Sequence, residues 1–177
     1  MSMREIVVHV PHQKKLALNW GSGFQSPRNL RVRLVAPGAG IVLSGRFKAQ
    51  HSEMLALVIE VMHEAPETKS RIVVRGLAKD RAQVNFHANA RLLKGAKRAD
   101  ASIDARALLL SDEARCELQP DLEIDEQEVR ATHSTFVGPL DEEEIFYLQS
   151  RGVPEEKAKE LLIAGFLNIA QHVKLVK

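Results

Sequence analysis

Short segments of alternating apolar and polar residues follow one another along most of the chain. Arg31–Val35 and Gln83–His87 show the alternation best, with one face of each segment apolar and the other polar. No helical periodicity separates these segments before residue 140. The pattern predicts eight β-strands: Leu30–Val35, Gly40–Phe47, Met54–His63, Ser70–Leu77, Ala82–Ala90, Ala99–Leu110, Ala114–Ile124 and Glu128–Val137.

Two segments depart from this simple strand pattern. Met54–Met62 has the composition of a buried helix, but its β-branched residues Val58, Ile59 and Val61 favour a strand. Residues 13–29 are rich in Gly, Ser, Asn and Gln, which predicts a loop or a loosely ordered arm. A series of short strands without helices is typical of a sandwich, a barrel or a β-helix. The alternation alone does not choose among these three.

The periodicity changes to that of helices after residue 140. Asp141 is suited to cap a helix, with Glu144 completing a capping box, and Gly152 is suited to end it just after Arg151. A second helix is predicted to begin at Val153–Glu156, with Pro154 in its first turn. Its apolar residues recur every three or four positions: Ala158, Leu161, Leu162, Gly165, Phe166 and Ile169. The sequence therefore predicts a helical hairpin after a β-rich body.

Composition narrows the class of protein further. Apolar residues make up 45% of the 177 residues, enough for a sizeable core, and the formal net charge is only +2. The middle of the chain is basic and Asp112–Glu128 is acidic, but the basic residues lack the interleaved aromatics of nucleic-acid binders. Neither a signal peptide nor an apolar run of membrane-spanning length occurs in the sequence. We therefore expect a cytoplasmic protein that binds no nucleic acid and no membrane.

A longer pattern near the C-terminus resembles the SufB/SufD family, the scaffold subunits of the Suf iron–sulfur cluster assembly machine, in its SufD form. The matching segments are Pro120–Ile124, Glu128–His133, Val137–Gly138, Leu140–Leu148, Ser150–Val153, Glu155–Ala158 and Leu161–Phe166. The run of Phe146, Tyr147 and Leu148 followed by Ser150–Gly152 is long and uncommon. A generic pair of capped helices would not explain these identities.

The resemblance implies a right-handed parallel β-helix over residues 30–138, after an N-terminal arm or first strand and loop over residues 1–29. Residues 139–177 would form a C-terminal helical region that docks a SufC-like ATPase. Binding of ATP is expected only through that partner, since the chain has no phosphate-binding loop motif. The family also implies a homodimer or a heterodimer through the β-helix, and a scaffold rather than an enzyme. The residues that the resemblance assigns to ATPase docking are Asp141, Glu144, Phe146, Tyr147, Arg151, Gly152, Glu156 and Phe166.

The sequence contains only some of the residues that the family uses for cluster chemistry. His133 corresponds to the family's interface histidine, which makes it the candidate ligand for iron or for a transient iron–sulfur cluster. The family's cysteine positions are occupied by Ala131 and Ala105, although thiolates are the preferred cluster ligands. The single cysteine, Cys116, alternates with Leu118 and is predicted to be structural.

These substitutions leave two functions open. The chain either helps to assemble a cluster, or it dimerises and binds the ATPase without assembling one. A β-helix hydrolase or lyase is a third alternative, for which the sequence provides the acidic residues Asp121, Glu123, Asp125 and Glu128. Those acidic residues are more simply explained as polar turn and outer-face residues.

Overall fold

The computed structural model describes residues 3–21 and 26–168. Within these ranges the chain forms ten strands and two helices. The elements are β1 (Arg4–Val8), β2 (Gln13–Gly21), β3 (Asn29–Leu34), β4 (Gly40–Ala49), β5 (Met54–His63), β6 (Lys69–Ala78), β7 (Gln83–Leu92), β8 (Asp100–Leu109), β9 (Arg115–Ile124), β10 (Arg130–Gly138), α1 (Glu142–Ser150) and α2 (Glu155–Leu167).

The strands wind into a parallel solenoid of about five turns. Odd-numbered strands form one sheet in the order β1-β3-β5-β7-β9, here called sheet A, and even-numbered strands form sheet B in the order β10-β8-β6-β4-β2. All the pairings are parallel. Each strand of one sheet is thus the crossover between two strands of the other, so no helical crossover is needed. The β-helix prediction is confirmed.

The inward-facing side chains stack in columns from turn to turn. Leu43 of β4 pairs with Ile72 of β6, which pairs with Ile103 of β8, and all three are buried. Such a column needs only an apolar residue at the same register in each turn, not the same residue. This explains why the sequence shows regular alternation without a detectable repeat.

The strand predictions from residue 30 to residue 138 are confirmed, with the bounds of β5 identical to the predicted ones. The prediction of a loop over residues 13–29 is wrong for residues 13–21, which form β2. Leu18 and Trp20 of β2 are buried, and Trp20 pairs with Phe47 of β4. Polar residues such as Lys15 lie on the outward side of this edge strand. Because of these polar residues, the composition of the segment indicated a loop and not a strand. The strand β1 lies within residues 1–29, for which the expectation was an N-terminal arm or a first strand and loop.

The outward side of sheet B is strongly basic. Its outward positions carry eight cationic side chains and two aspartates, a surplus of six positive charges. We call this surface the basic face. Its charged residues are Lys15, Arg46, Lys48, Lys69, Arg71, Arg75, Arg106, Arg130, Asp100 and Asp104.

The two helices form a hairpin against the outer side of sheet B. They contact each other, α2 contacts β6, and Ala158 of α2 is fully buried. Leu77 and Leu108, which face outward on β6 and β8, are buried as well. No helix among the described residues is both long and apolar enough to span a membrane.

Candidate functional site

The first helix of the hairpin is fixed at both ends by local chemistry. Asp141 Oδ1 accepts a hydrogen bond of 2.8 Å from the Glu143 amide, which confirms the predicted N-cap. Glu144, expected in the capping box, has an exposed side chain. At the other end Gly152 has a φ of +85°, donates to Gln149 O, and is followed by a bond from the Val153 amide to Leu148 O. Glycine is favoured at this left-handed position, so the predicted helix stop is confirmed.

The exposed side of this hairpin carries large apolar groups. Phe146 is 71% exposed and Tyr147 is 57% exposed, and the Arg151 guanidinium lies 5.4 Å from the centroid of the Tyr147 ring. Leu161 of α2 is 48% exposed. Aromatic and arginine side chains presented together in this way are typical of protein-binding surfaces.

Acidic groups lie beside Tyr147. A hollow of about 380 Å³ lies between the helices and is lined by Asp141, Glu143, Glu144, Tyr147, Leu148 and Leu162. On the other side of the hairpin, Glu156 and Lys159 line a groove of about 850 Å³ that also includes Lys79 and Leu110.

Three further residues of the predicted hairpin have different outcomes. Phe166 is half-buried, and Pro154 directly precedes α2 as its N-cap rather than lying in its first turn. Ile169 lies outside the described residues.

The second candidate region is the open C-terminal end of the solenoid, formed by β9 and β10. Each strand is the last in its sheet, and no further strand of the described residues pairs with its other edge. Ile124 and Val137, near the ends of the two strands, are 49% and 37% exposed. An unpaired edge beside exposed apolar groups is a template for association with another chain.

His133 lies at this open end. It pairs with Ile103, an inward-facing core residue, so in a parallel register its side chain belongs to the inward column. It is nevertheless exposed, because no further turn of the described residues covers it. Ala131 pairs with Ala101. Ala105 is buried one turn earlier and pairs with Thr135, two residues after His133. Two of the three positions that the resemblance connects with cluster chemistry, 105 and 133, are therefore near neighbours on adjacent strands.

Cys116 also faces inward, on β9, where it pairs with Val84. Burial raises the pKa of its thiol to about 12, which keeps the sulfur protonated and unreactive at neutral pH. The interpretation of Cys116 as a structural residue agrees with this. Among the described residues no three His, Cys, Asp or Glu side chains are arranged to hold a metal ion. Ligands for an ion at His133 would have to include groups from outside this part of the chain.

The acidic residues of β9 take part in polar contacts on the outer face of sheet A. Glu123 lies 2.8 Å from Arg91 Nε and accepts a hydrogen bond from Asn89, and Asp121 lies 2.7 Å from His87 Nε2. Arg91 in turn approaches Glu60, which pairs with Arg31 at 2.6 Å, so charges of opposite sign alternate across neighbouring strands. These carboxylates stabilise the stacking of the turns. They do not converge on a cleft as a hydrolase would require.

One buried polar cluster was not predicted from the sequence. His63 is fully buried, with Nδ1 2.9 Å from Thr68 Oγ1 and Nε2 2.8 Å from Ser70 Oγ. Thr68 donates its own proton to Ala65 O, so it accepts from His63 Nδ1–H, and the neutral Nε2 accepts from Ser70. Burial lowers the pKa of His63 to about 4, although a hydrogen bond to the Thr68 backbone opposes the shift. The alternation predicted an inward position but not these partners.

The buried His63 predicts a pH-dependent stability. Its pKa is near 6.5 in the unfolded chain and about 4 in the folded protein, so only the unfolded chain gains a proton between these values. Stability should therefore fall by about 3 kcal/mol as the pH is lowered from 6.5 to 4. Urea unfolding at several pH values should show that His63→Gln removes this part of the pH dependence. The exposed His12→Gln should retain it, and a His63→Gln curve parallel to that of the wild type would contradict the assignment.

The sequence is similar to proteins of the SUF system. A family model described as "SUF system FeS cluster assembly, SufBD core domain" matches residues 13–166. The iron–sulfur cluster assembly protein SufD of Bacillus subtilis (strain 168) is 38% identical over 108 residues, which cover 61% of this chain and 25% of that protein. An iron–sulfur cluster assembly SufBD family protein of Staphylococcus saprophyticus is 32% identical over 108 residues, covering 61% of this chain and 23% of that protein. The chain therefore spans about a quarter of the length of these curated relatives.

Proposed function

The chain belongs to the SufBD core-domain family of the SUF iron–sulfur cluster assembly system, and on this premise we propose that it is a scaffold subunit of such a complex. In this proposal the helical hairpin docks a SufC-like ATPase, and the open end of the solenoid joins a second SufB/SufD-type subunit. The chain itself performs no catalysis. The exposed Phe146 and Tyr147 on a well-capped helix are the observation that carries the proposal.

Exposure of these two rings to water costs free energy, which docking of a partner would recover. Each buried aromatic side chain contributes a large apolar area to an interface, and a few such residues usually provide most of the binding energy. Arg151, which lies over Tyr147, adds a group that is also enriched at interfaces. The acidic groups around the hollow, among them Asp141 and Glu144, favour a partner surface with positive charge.

Docking of the ATPase is tested by removing the two rings. The double substitution Phe146→Ala/Tyr147→Ala should weaken binding to a purified SufC-type ATPase by more than tenfold. Truncation of one central aromatic residue at an interface costs about 2 kcal/mol of binding free energy, and each 1.4 kcal/mol or so is a factor of ten in affinity. Pull-down and calorimetry at micromolar concentrations, with and without ATP, provide the measurement.

Met54→Ala is the matched control for this experiment, because Met54 is also 71% exposed but lies on β5 of the solenoid. Circular dichroism would show that α1 and α2 remain folded in each variant. If the wild-type chain does not bind the ATPase, or if the double variant binds as well as the Met54 control, the proposed docking site is wrong.

The open end supports the second part of the proposal. The free edges of β9 and β10 and the exposed Ile124, Phe136 and Val137 favour pairing with an equivalent strand edge. His133 would then lie at the junction of two subunits. A partner subunit could provide thiolate ligands there, which the alanines at positions 105 and 131 of this chain cannot provide. In this proposal iron and sulfide are the substrates of cluster assembly at that junction.

A second version of the proposal is an interaction protein that dimerises and binds the ATPase without assembling a cluster. The alanines at positions 105 and 131 favour it, since thiolates are the usual cluster ligands. Anaerobic reconstitution with iron and sulfide separates the two versions. A cluster absorption band that is lost in His133→Ala supports cluster assembly, whereas the absence of the band, both for the isolated chain and for its complex with a thiol-bearing subunit, supports the second version.

A further inference from the structure

The basic face concentrates on one surface a positive charge that the rest of the chain does not share. Its surplus of six charges compares with a formal net charge of +2 for the whole protein. The outward positions of sheet A carry four arginines and five carboxylates, so they are close to neutral. The surplus therefore belongs to sheet B and not to the solenoid as a whole.

Three arginines lie in register across the middle of this face. Arg46 of β4 pairs with Arg75 of β6, and Arg75 pairs with Arg106 of β8. Neighbouring strands are about 4.8 Å apart, and like charges placed directly opposite each other are destabilising. A row of this kind needs anionic groups to offset the repulsion.

The chain supplies only part of that anionic charge. Asp104 lies 2.6 Å from Arg75 Nη2 and 3.0 Å from Arg106 Nε, so both of its oxygens are occupied by these two arginines. The side chain of Arg46 has no hydrogen-bond or ion-pair partner in residues 3–21 and 26–168. The same is true, over that part of the chain, of Lys48, two residues after Arg46 on β4, and of Lys15 on the adjacent strand β2, which pairs with Val42.

We propose that the open part of the basic face, formed by Lys15, Arg46 and Lys48, is an interaction surface for an acidic polypeptide segment of a partner protein. Asp104 already shows how a carboxylate is held on this face, between two stacked arginines. The element of this chain that packs on β6 is itself acidic, because residues 139–168 contain seven carboxylates and three cationic side chains. The proposed partner segment would occupy the part of the sheet beside the hairpin.

A polypeptide fits this surface better than a nucleic acid does. Phe136 is the sole aromatic residue at the outward positions of sheet B within the described ranges, so the face has no platform for stacked bases. The Arg46 guanidinium, with the Lys48 ammonium beside it on β4, instead suits carboxylates, which arginine binds in a bidentate manner. This surface is separate from Phe146, Tyr147 and the open end, and the inference goes beyond the proposed docking of the ATPase.

The test uses the full chain and a short fluorescein-labelled poly-glutamate peptide, followed by fluorescence anisotropy at two salt concentrations. We expect binding that weakens with salt and that falls by about tenfold or more in the variant Lys15→Glu/Arg46→Glu/Lys48→Glu, since the introduced carboxylates repel those of the peptide. The variant with glutamine at the same three positions should show an intermediate loss.

The matched control is Arg4→Glu/Arg81→Glu/Lys94→Glu, which changes the net charge equally at exposed positions away from the basic face. It should alter binding by less than about threefold, since only long-range charge is affected. The inference is overturned if the wild type does not bind the peptide, if both variants lose binding equally, or if a single-stranded oligonucleotide binds more tightly than the peptide at the same salt. None of these outcomes depends on the ATPase, so a failure here is distinguishable from a failure of the proposed function.

Discussion

Replacing Gly76 by valine should destabilise the protein by about 3 kcal/mol or more, the upper range for an overpacked core. Gly76 lies on the inward side of β6, in register with Phe47 of β4 and Ala107 of β8. The Phe47 ring is fully buried and occupies the space where a side chain at position 76 would begin. A Cβ atom there would overlap the ring itself, and the ring cannot move outward because the core around it is filled.

Urea unfolding followed by circular dichroism measures this effect. Gly165→Val is the matched control, because a Cβ added at Gly165 on α2 meets no atom within 4 Å. Gly76→Ala combined with Phe47→Leu should be more stable than the sum of the two single substitutions predicts, since the smaller side chain makes room for the added methyl group. An unchanged urea midpoint for Gly76→Val would contradict the packing described here.

The elements that were predicted correctly are those that depend on local chemistry. β5 and the capped helix α1 follow from alternation, from Asp141 and from Gly152, each of which acts within a few residues. β2 was missed because its strand conformation depends on pairing with β4, which lies about 27 residues further along the chain. The choice of a solenoid rather than a sandwich rested on the resemblance, because both architectures require the same alternation.

The residues of the candidate sites also fall into two groups, those whose position follows from the local pattern and those whose position depends on contacts between turns. Alternation correctly predicted that Cys116 faces inward, but only the pairing with Ile103 places His133 in the inward column of the last turn. The His63 cluster joins residues five and seven positions apart across a turn, and Arg75 reaches Asp104 from 29 positions away. Partnerships of this kind are set by the register of the turns, which the sequence pattern does not specify.

Arg75 and Asp104 provide the second large effect on stability. Arg75 is 1% exposed although it faces outward on β6, and its Nη1 donates to Val74 O and Asp104 O while Nη2 contacts the Asp104 carboxylate. Burial opposes ionisation of Asp104, but the hydrogen bonds and charges of Arg75 and Arg106 prevail and lower its pKa. Its contribution to stability is therefore present above the unfolded pKa near 3.9 and is lost only as the pH falls below it. This window lies below that of His63.

Asp104→Ala should destabilise the protein by about 3–5 kcal/mol at neutral pH, because it leaves a buried guanidinium without a counter-charge beside Arg46 and Arg106. Arg75→Met/Asp104→Leu should recover most of that loss, since well-packed apolar residues of similar volume often replace a buried ion pair without net cost. Asp100→Ala, which removes the other aspartate of the basic face, is the matched control and should cost less than about 1 kcal/mol. Urea unfolding at pH 7 measures all three variants. If Asp104→Ala and Asp100→Ala are equally mild, Asp104 is not the counter-charge that holds this row of arginines together.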